Sequence, residues 1–219
     1  MKVILTGATG LVGEGVLLEC LQNPQVEKVL VVGRKSCGRT DSKITELLVP
    51  DFMKLEAFEA QLTGYDACFY CAGISSAGLS EEEYRRITYD TAVRFCEVLA
   101  RLNTQMVLCH ITGASTDGTG EGKVMWARVK GQTENALVKL PFKRVHNFRP
   151  ALMLPMPGQK NVKTYYRVLC WFAFLFRLTM PDKVCTMHEL GASMVVAVAR
   201  GADGPVVTIP EMKRMAAGL

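Results

Sequence analysis

The chain has 219 residues, of which 49% are hydrophobic, and its 26 lysines and arginines against 21 aspartates and glutamates give a net charge of +5. This length and hydrophobic content predict one domain, residues 1–219, with one large core. Basic residues are scattered among acidic ones, and apolar residues interrupt the densest run, at 139–149, which argues against a nucleic-acid partner. The chain starts with a predicted strand instead of an apolar signal segment, so we expect a cytoplasmic protein.

Eight cysteines lie at irregular spacings, at positions 20, 37, 68, 71, 96, 109, 170 and 185. The one close pair, Cys68 and Cys71, falls in a predicted strand, where residues three apart point to opposite faces. The histidines lie in two predicted strands and at the start of a predicted helix, which favours structural roles for His110, His146 and His188. We therefore expect buried free thiols in a reducing compartment, and no metal site.

Strand-like and helix-like segments alternate along the chain. Predicted strands lie at 3–5, 26–33, 44–49, 66–71, 106–111, 144–148 and 205–209. Predicted helices lie at 11–21, 55–62, 81–102, 124–140, 165–178 and 188–200. Helices between strands imply parallel pairing through right-handed crossovers, so we predict an α/β fold with a doubly wound parallel sheet (a Rossmann fold) and helices on both faces. Residues 151–204 are expected to form a small, mostly helical C-terminal subregion on the substrate side or at an interaction face.

A glycine-rich loop, Thr6-Gly7-Ala8-Thr9-Gly10-Leu11-Val12-Gly13, joins the first predicted strand to the first predicted helix. Gly7 permits the sharp turn, Gly10 lets the backbone approach a pyrophosphate, and Gly13 lets the helix pack closely on the strand. The helix N-terminus then offers free N–H groups and the positive end of its dipole to phosphates. An ordinary strand-to-helix loop is the alternative. We predict a dinucleotide site contacted by Gly7, Thr9, Gly10, Leu11, Val12 and Gly13.

The end of the second strand indicates which dinucleotide the site prefers. An acidic residue there would bind the ribose diol of NAD, whereas this chain has Gly33, Arg34 and Lys35. Two cations without a carboxylate suit the 2′-phosphate of NADP, with Arg34 stacking on adenine or making paired hydrogen bonds and Lys35 acting as a point charge. NAD is the alternative cofactor, and a solvated loop with two surface bases is the alternative structure.

Asp51 comes directly after the third predicted strand, at the edge of the sheet where an adenine ring would lie. Its carboxylate is placed to accept a hydrogen bond from the adenine amino group, and Phe52 is placed to pack nearby. The alternative is a turn aspartate beside Pro50. Both residues are therefore candidates for contact with the cofactor.

The segment at 165–178 is strongly apolar, and Arg167 and Arg177 bracket its nine uncharged residues. This uncharged core is too short to span a bilayer. It can form a buried helix, a wall of a substrate pocket, or a face that contacts a membrane or a partner. Apolar helical segments more often belong to a core, which favours the first of these interpretations.

Several motifs, in this order, resemble the short-chain dehydrogenase/reductase superfamily in its extended or atypical branch. They are the loop at 6–13, Asp51-Phe52, Cys71-Ala72-Gly73, the polar loop after the fifth strand, Lys130 and Phe148-Arg149-Pro150. The chain is similar to NAD(P)-binding epimerases and dehydratases of that branch, and to the oxidoreductase-like Tat-interacting protein family. The resemblance implies cofactor contacts from Cys71, Ala72, Gly73, Lys130 and Pro150. It also implies that a homodimer would form through the helices at 81–102 and 124–140.

In this superfamily a tyrosine exchanges a proton with the substrate, aided by a serine or threonine near the preceding strand. A lysine four residues later on the same helix lowers the pKa of that tyrosine and binds the nicotinamide ribose. The matching pair here is Trp126 and Lys130, with Thr112 and Ser115 as hydroxyl candidates. An indole N–H donates hydrogen bonds but has no proton to release near neutral pH, so Trp126 cannot be a general acid. Lys130 keeps the role of binding the nicotinamide ribose. A proton would have to come from another element, and no spacing selects among Tyr84, Tyr89, Tyr165 and Tyr166.

Two functions from different classes follow. The first is an NADP-dependent oxidoreductase or epimerase-like enzyme that acts on a small carbonyl or sugar-like substrate. The second is a regulatory or interaction protein that binds the nucleotide but has lost the proton donor. Lys130 is compatible with both functions, whereas Trp126 favours the second.

Overall fold

A computed structural model, which describes residues 1–162, 166, 177 and 179–218, shows a parallel sheet with helices on both faces. Within the described residues the main sheet contains β1 (Lys2–Thr6), β2 (Lys28–Gly33), β3 (Ile44–Leu48), β4 (Ala67–Tyr70), β5 (Val107–Ile111), β6 (Arg144–Phe148) and β9 (Val206–Val207). Two short strands, β7 (Leu152–Leu154) and β8 (Val184–Thr186), pair only with each other. All seven predicted strands are present in the main sheet.

Helices connect most of these strands. In the described part of the chain they are α1 (Leu11–Gln22), α2 (Glu59–Leu62), α3 (Glu81–Arg85), α4 (Thr91–Leu102), α5 (Met125–Leu137), α6 (Met187–Arg200) and α7 (Ile209–Ala217). A 3₁₀ turn at Glu56–Phe58 precedes α2, and another at Pro181–Lys183 precedes β8. A π-helical turn at Arg86–Asp90 joins α3 to α4.

The strand order across the main sheet is β3-β2-β1-β4-β5-β6-β9, and every neighbouring pair is parallel. The chain runs outward from β1 to β3, returns to β4 beside β1, and then runs outward in the opposite direction. The connections after β1 and β4 therefore diverge, which opens a crevice above the carboxyl ends of these two strands. This topology confirms the predicted doubly wound parallel sheet.

Each face of the sheet carries its own apolar core. On one face, Val3 and Leu5 of β1 pack in a cluster with side chains from α1, α6 and α7. On the other face, Ile4 belongs to a second cluster, which contains Phe95 and Leu99 of α4. Because both faces are covered, the inner strands consist almost entirely of buried apolar residues and do not alternate with polar ones.

The predicted helix at 81–102 is divided into three parts in the structure. A capping box formed by Ser80 and Glu83 starts α3 where the sequence predicts it, but the π-helical turn at Arg86–Asp90 then separates α3 from α4. Such a turn adds one residue to a single turn of the helix, and this local shift is too small to identify from hydrophobic periodicity over 81–102. Single π turns inside helices often lie next to functional sites.

The C-terminal region differs most from its prediction. The strands β7 and β8 have only three residues each, which is too short for a period-two pattern, and α7 was also not predicted. The predicted helix at 188–200 is observed as α6, which begins at Met187. The helix predicted at 165–178 lies outside the described residues, except for Tyr166 and Arg177.

A buried polar contact ties β5 to β6 within the second core. His110 and Asn147 are register partners, and the Nδ1 atom of the imidazole lies 2.9 Å from the Oδ1 atom of the amide. Burial lowers the pKa of His110 to about 4, although the Asn147 contact and Glu134 oppose this shift. His110 is therefore a neutral imidazole at physiological pH.

The burial of His110 makes stability depend on pH. The pKa of His110 is about 4 in the folded protein and about 6.5 in a model peptide, so acid protonates the unfolded chain first. Above pH 6.5 this difference in pKa leaves the free energy of unfolding unchanged. As the pH falls toward 4 the free energy of unfolding decreases, by about 2 kcal/mol at pH 5. Denaturant unfolding between pH 7.5 and 5 should show the free-energy difference between wild type and His110→Gln shrinking by that amount. Parallel curves for the two proteins would contradict the assignment.

Candidate functional site

Two connected cavities lie above the carboxyl ends of the central strands. The larger one, here called the cleft, has a volume of about 580 Å³ and follows the ends of β1, β2 and β4. The smaller one, the inner cavity, has a volume of about 240 Å³ and lies toward β5 and α5. The two share Gly10, Cys71, Ala72, Gly73 and Ile74. Both are at the topological switch point between β1 and β4, where doubly wound sheets bind ligands.

The three glycines of the loop after β1 have distinct structural roles. Gly7 has φ +75°, and a Cβ atom there would lie 2.6 Å from the backbone of Cys71 at the end of β4. A Cβ at Gly13 would lie 2.1 Å from the carbonyl oxygen of Gly7, so this glycine lets α1 pack directly on the loop. At Gly10 the nearest atom would be 3.4 Å away. Gly7 and Gly13 therefore shape the loop, whereas Gly10 keeps its surface open.

The open surface at Gly10 coincides with a helix terminus that lacks a side-chain cap. Gly10 is the N-cap of α1, and no side chain accepts a hydrogen bond from the first turn. The N–H groups of that turn and the positive end of the helix dipole are therefore available to an anion. Nearby, the Thr6 hydroxyl accepts hydrogen bonds from the backbone N–H groups of Cys71 and Ala72, both at 3.1 Å, and fixes the opposite wall.

Three cations line the cleft: Arg34 and Lys35 after β2, and Arg86 from the π-helical turn. Within the described part of the chain none of the three forms an ion pair, although most of the other described arginines do. Asp51 is the acidic side chain among the described lining residues. The cleft therefore has a surplus of positive charge at the end of β2.

The loop that carries Arg34 and Lys35 is fixed from two sides. Glu46 of β3 accepts hydrogen bonds from the Cys37 N–H, at 2.6 Å, and from the Ser36 hydroxyl. Arg39 donates to Glu14 on α1, at 2.5 Å, and to the carbonyl oxygen of Gly158. These contacts hold the two cations next to the cleft before any ligand binds.

Glu14 is almost fully buried and joins three segments of the chain. Its carboxylate accepts hydrogen bonds from Arg39 and from the backbone N–H groups of Lys160 and Asn161. Burial alone would raise the pKa of this carboxyl, but these donors hold it below its ordinary value. The buried carboxylate thus connects α1, the loop after β2 and the segment at 156–162.

Asp51 both forms a turn and lines the cleft. Its Oδ1 atom accepts a hydrogen bond from the Met53 N–H at 2.9 Å, as in the turn interpretation, while the residue borders the cleft beside Phe52. The Phe52 ring packs on Phe95 of α4, with the ring centroids 5.1 Å apart. The exposed side chains of Met53, Ile74 and Ile87 complete an apolar rim suited to a planar ring.

The inner cavity combines apolar walls with polar side chains from three elements. Lys130 reaches it from α5, His110 from β5, and Tyr84 and Thr88 from the segment around the π-helical turn. The Lys130 ammonium donates to the carbonyl oxygen of Thr112 at 2.8 Å. Burial lowers the pKa of Lys130, although the neighbouring Glu134 opposes this shift.

A buried network behind Lys130 fixes α5 to the ends of β5 and β6. The Glu134 carboxylate, one turn after Lys130, lies 2.6 Å from the Thr112 hydroxyl and accepts paired hydrogen bonds from Arg149. Such bidentate pairs impose a defined orientation. The Pro150 carbonyl oxygen, next to Arg149, accepts a hydrogen bond from the Ala114 N–H at 2.8 Å. This network determines where Lys130 lies.

The predicted catalytic residues do not all meet at one place. Lys130 lines the inner cavity, whereas the Thr112 hydroxyl is occupied by Glu134 and Ser115 is exposed. Trp126 lies half-buried in the first turn of α5 and is absent from the described lining of the inner cavity. Pro150 borders neither cavity and supports the loop at 112–122 instead.

Of the predicted cofactor contacts, most line one of the cavities. Gly7, Thr9, Gly10, Arg34, Lys35, Asp51, Phe52, Cys71, Ala72 and Gly73 line the cleft, and Leu11, Val12 and Lys130 line the inner cavity. Gly13 lies behind the loop. Sequence reasoning missed Arg86, and it left Tyr84 unselected among four tyrosines. The capping box at Ser80 was the available signal, because it fixes where α3 begins and hence which residues share a helix face.

Three further features of the described part of the chain concern metals, thiols and membranes. No group of three or more histidine, cysteine or acidic side chains there is arranged to hold a metal ion. The seven cysteines it contains are free, and five of them are buried. No helix in these ranges combines the length and apolar character needed to cross a membrane.

Comparison with curated proteins finds similar chains in animals and fungi. Protein HTATIP2 of Rattus norvegicus is 25% identical over 89% of this chain and 78% of its own length. Leucinostatins biosynthesis cluster protein T of Purpureocillium lilacinum is 29% identical over 66% of this chain and 55% of that protein. Protein fmp52, mitochondrial, of Emericella nidulans is 26% identical over 69% of this chain and 66% of that protein.

Solved structures with the same fold are more distant in sequence. The Bordetella bronchiseptica enzyme WbmG in complex with NAD has a TM-score of 0.68 at 13% identity, over all of this chain and 77% of that one. UDP-glucuronic acid 4-epimerase from Bacillus cereus in complex with NAD has a TM-score of 0.67 at 15% identity, over 94% of this chain and 77% of that one.

Together these findings confirm the resemblance to extended and atypical short-chain dehydrogenases/reductases. The model of the NAD dependent epimerase/dehydratase family matches residues 3–128, which is more than half of the chain. The chain therefore belongs to the NAD dependent epimerase/dehydratase family.

Proposed function

We propose that this chain binds a nicotinamide dinucleotide across both cavities, prefers NADP, and transfers hydride between it and a small carbonyl or sugar-like substrate. The observation that carries the proposal is the open backbone surface at Gly10, next to the uncapped N-terminus of α1. A pyrophosphate needs both a close backbone approach and free N–H donors. Family membership and the NAD bound in structures of the same fold support the same cofactor class.

The two cavities divide the cofactor between them. The apolar rim formed with Phe52 and Met53 suits adenine, and Arg34 and Lys35 suit a phosphate on the adenosine ribose. The inner cavity, which holds Lys130, then receives the nicotinamide ribose. When bound in its reduced form, the cofactor supplies a hydride equivalent for a carbonyl carbon. A proton must reach the carbonyl oxygen to complete the alcohol.

A second function, a regulatory protein that binds the nucleotide without turnover, is favoured by Trp126 at the position of the family tyrosine. Against it stands the inner cavity, where Lys130, His110 and Tyr84 remain next to the nicotinamide end. A binding module needs no such set. The cytoplasmic location, the homodimer and the separate role of residues 151–204 stay predictions from the sequence.

The glycines of the loop allow folding and binding to be tested separately. In Gly10→Ala the new methyl group has room in the folded protein but projects where a pyrophosphate would lie. We expect its free energy of unfolding to stay within about 1 kcal/mol of wild type, while NADPH binding weakens more than about tenfold. In Gly13→Ala the methyl group would meet the Gly7 carbonyl oxygen, so unfolding should become easier by about 1–3 kcal/mol or more. Denaturant unfolding and calorimetric titration distinguish the two. Unchanged NADPH affinity in Gly10→Ala would contradict the proposed pyrophosphate site at Gly10.

Replacing Arg34 tests which dinucleotide is preferred. Arg34→Ala removes a guanidinium from the end of β2, so the Kd for NADPH should rise about 10- to 100-fold while that for NADH changes little. Arg214→Ala is a matched control. Arg214 pairs with Asp203 on the surface, so replacing it removes the same charge outside the cleft. Equal losses for NADPH and NADH would contradict the phosphate assignment.

Turnover separates the two functions. We expect at least one member of a panel of aldehydes, ketones, quinones and keto sugars to be reduced with oxidation of NADPH. The loss of NADPH absorbance measures the rate, and one molecule of reduced product should form for each NADPH oxidised. Since one hydride and one proton are added to each carbonyl, the reaction should consume one proton from solution for each NADPH oxidised. Tight NADPH binding with no turnover across the panel would favour the regulatory protein.

A further inference from the structure

The inner cavity contains several polar side chains, but few of them can give up a proton at neutral pH. Its Lys130 ammonium already donates to the Thr112 carbonyl oxygen and carries the positive charge of the site. The Thr88 hydroxyl and the Ser75 hydroxyl do not ionise in water near neutral pH. The proton donor must therefore come from His110, Cys71 or Tyr84.

His110 does not fit this role. Its Nδ1 atom is held 2.9 Å from the Asn147 amide oxygen, so Nδ1 carries the hydrogen and the other ring nitrogen is an acceptor. Burial keeps the ring neutral, with a pKa of about 4. A neutral imidazole in this tautomer can accept a hydrogen bond from a ligand in the cavity but has no proton to give.

Cys71 is also unsuitable, because its side chain belongs to the other face of the sheet. Successive residues of a strand point to opposite faces, and Cys71 packs against the core cluster beneath α1 and α6, whereas Tyr70 belongs to the cluster beneath α4. Burial raises the pKa of the Cys71 thiol well above its ordinary value. Cys71 therefore forms part of the wall of the inner cavity and does not supply a proton.

Tyr84 has the required chemistry and position. Its side chain is 1% exposed, yet it belongs to neither of the two core clusters described above and lines the inner cavity instead. Thr88, on the π-helical turn that follows, lines the same cavity next to the Tyr84 phenol, and its hydrogen bond to the phenol opposes the rise in the pKa of Tyr84 that burial causes.

We propose that Tyr84, presented by α3 and the π-helical turn, is the proton donor that Trp126 cannot be, and that it acts across the inner cavity from Lys130. This inference rests on the proposed oxidoreductase function. As hydride reaches the carbonyl carbon of the substrate, the O–H bond of Tyr84 breaks and a new O–H bond forms at the carbonyl oxygen. The negative charge left on the phenol oxygen is balanced by the Lys130 ammonium until solvent returns a proton. In alcohol oxidation the same steps run in reverse.

Matched phenylalanine variants test the role in turnover. With the best carbonyl substrate of the panel, Tyr84→Phe should lower kcat about 10²- to 10⁴-fold and change the Kd for NADPH less than about threefold. Tyr89→Phe is the control, because Tyr89 lies in the same segment, stacks under Arg85 with the guanidinium 4.1 Å from the ring centroid, and is absent from the described lining of the cavity. Full activity in Tyr84→Phe would overturn the proposal, as would a tenfold gain in Trp126→Tyr that is retained in the double variant with Tyr84→Phe.

A second measurement needs no turnover. In protein labelled with carbon-13 at the tyrosine Cζ, the Tyr84 resonance is identified by its loss in Tyr84→Phe. The oxidised nicotinamide ring is positively charged and the reduced ring is neutral, so saturation with NADP⁺ should lower the pKa of Tyr84 by about one unit or more relative to saturation with NADPH. A tyrosine with a purely structural role would titrate identically in both complexes, and that result would overturn the proposal. If neither dinucleotide binds, the proposed function fails, and this inference fails with it for that separate reason.

Discussion

The close backbone contact between the loop after β1, the end of β4 and the start of α1 is the constraint on which the rest of the site depends. Gly7 and Gly13 permit it, because any side chain at either position would overlap neighbouring backbone atoms. The Thr6 hydroxyl closes the contact by satisfying two N–H groups at the end of β4. This packing turns the N-terminus of α1 toward the crevice and leaves Gly10 as the open point in its wall.

Two buried carboxylates extend this arrangement outward in opposite directions. Glu14 fastens the loop after β2 and the segment at 156–162 to α1. Glu134 fastens α5 to the ends of β5 and β6 behind the inner cavity. Each is fully hydrogen-bonded, which is the condition under which buried charge gives a defined geometry. The segments that carry Arg34 and Lys130, two of the cations that line the cavities, are thereby anchored.

The replacement of the family tyrosine by Trp126 changes the chemistry of α5 but leaves its position intact. Lys130 still enters the inner cavity, because Thr112 and Glu134 hold that part of the helix independently of Trp126. Tyr84 of α3 and Thr88 of the π-helical turn that follows line the same cavity. The inner cavity therefore draws its polar groups from β5, α5 and the π-helical segment, and no single motif in the chain contains them all.

The sequence by itself determined the main sheet, most of the helices and the cleft. Buried parallel strands are continuous apolar runs, and the glycines at 7, 10 and 13 follow such a run directly, so local pattern was sufficient to predict the Rossmann fold, the loop and the cations after β2. Only the tertiary structure decided which side chains share the inner cavity. Tyr84, His110 and Lys130 are separated by 20 or more residues, and the π-helical turn, the strand register and the Glu134 network that bring them together leave no periodic signal. Spacing along the chain reports neighbours on one element, whereas this cavity forms between elements.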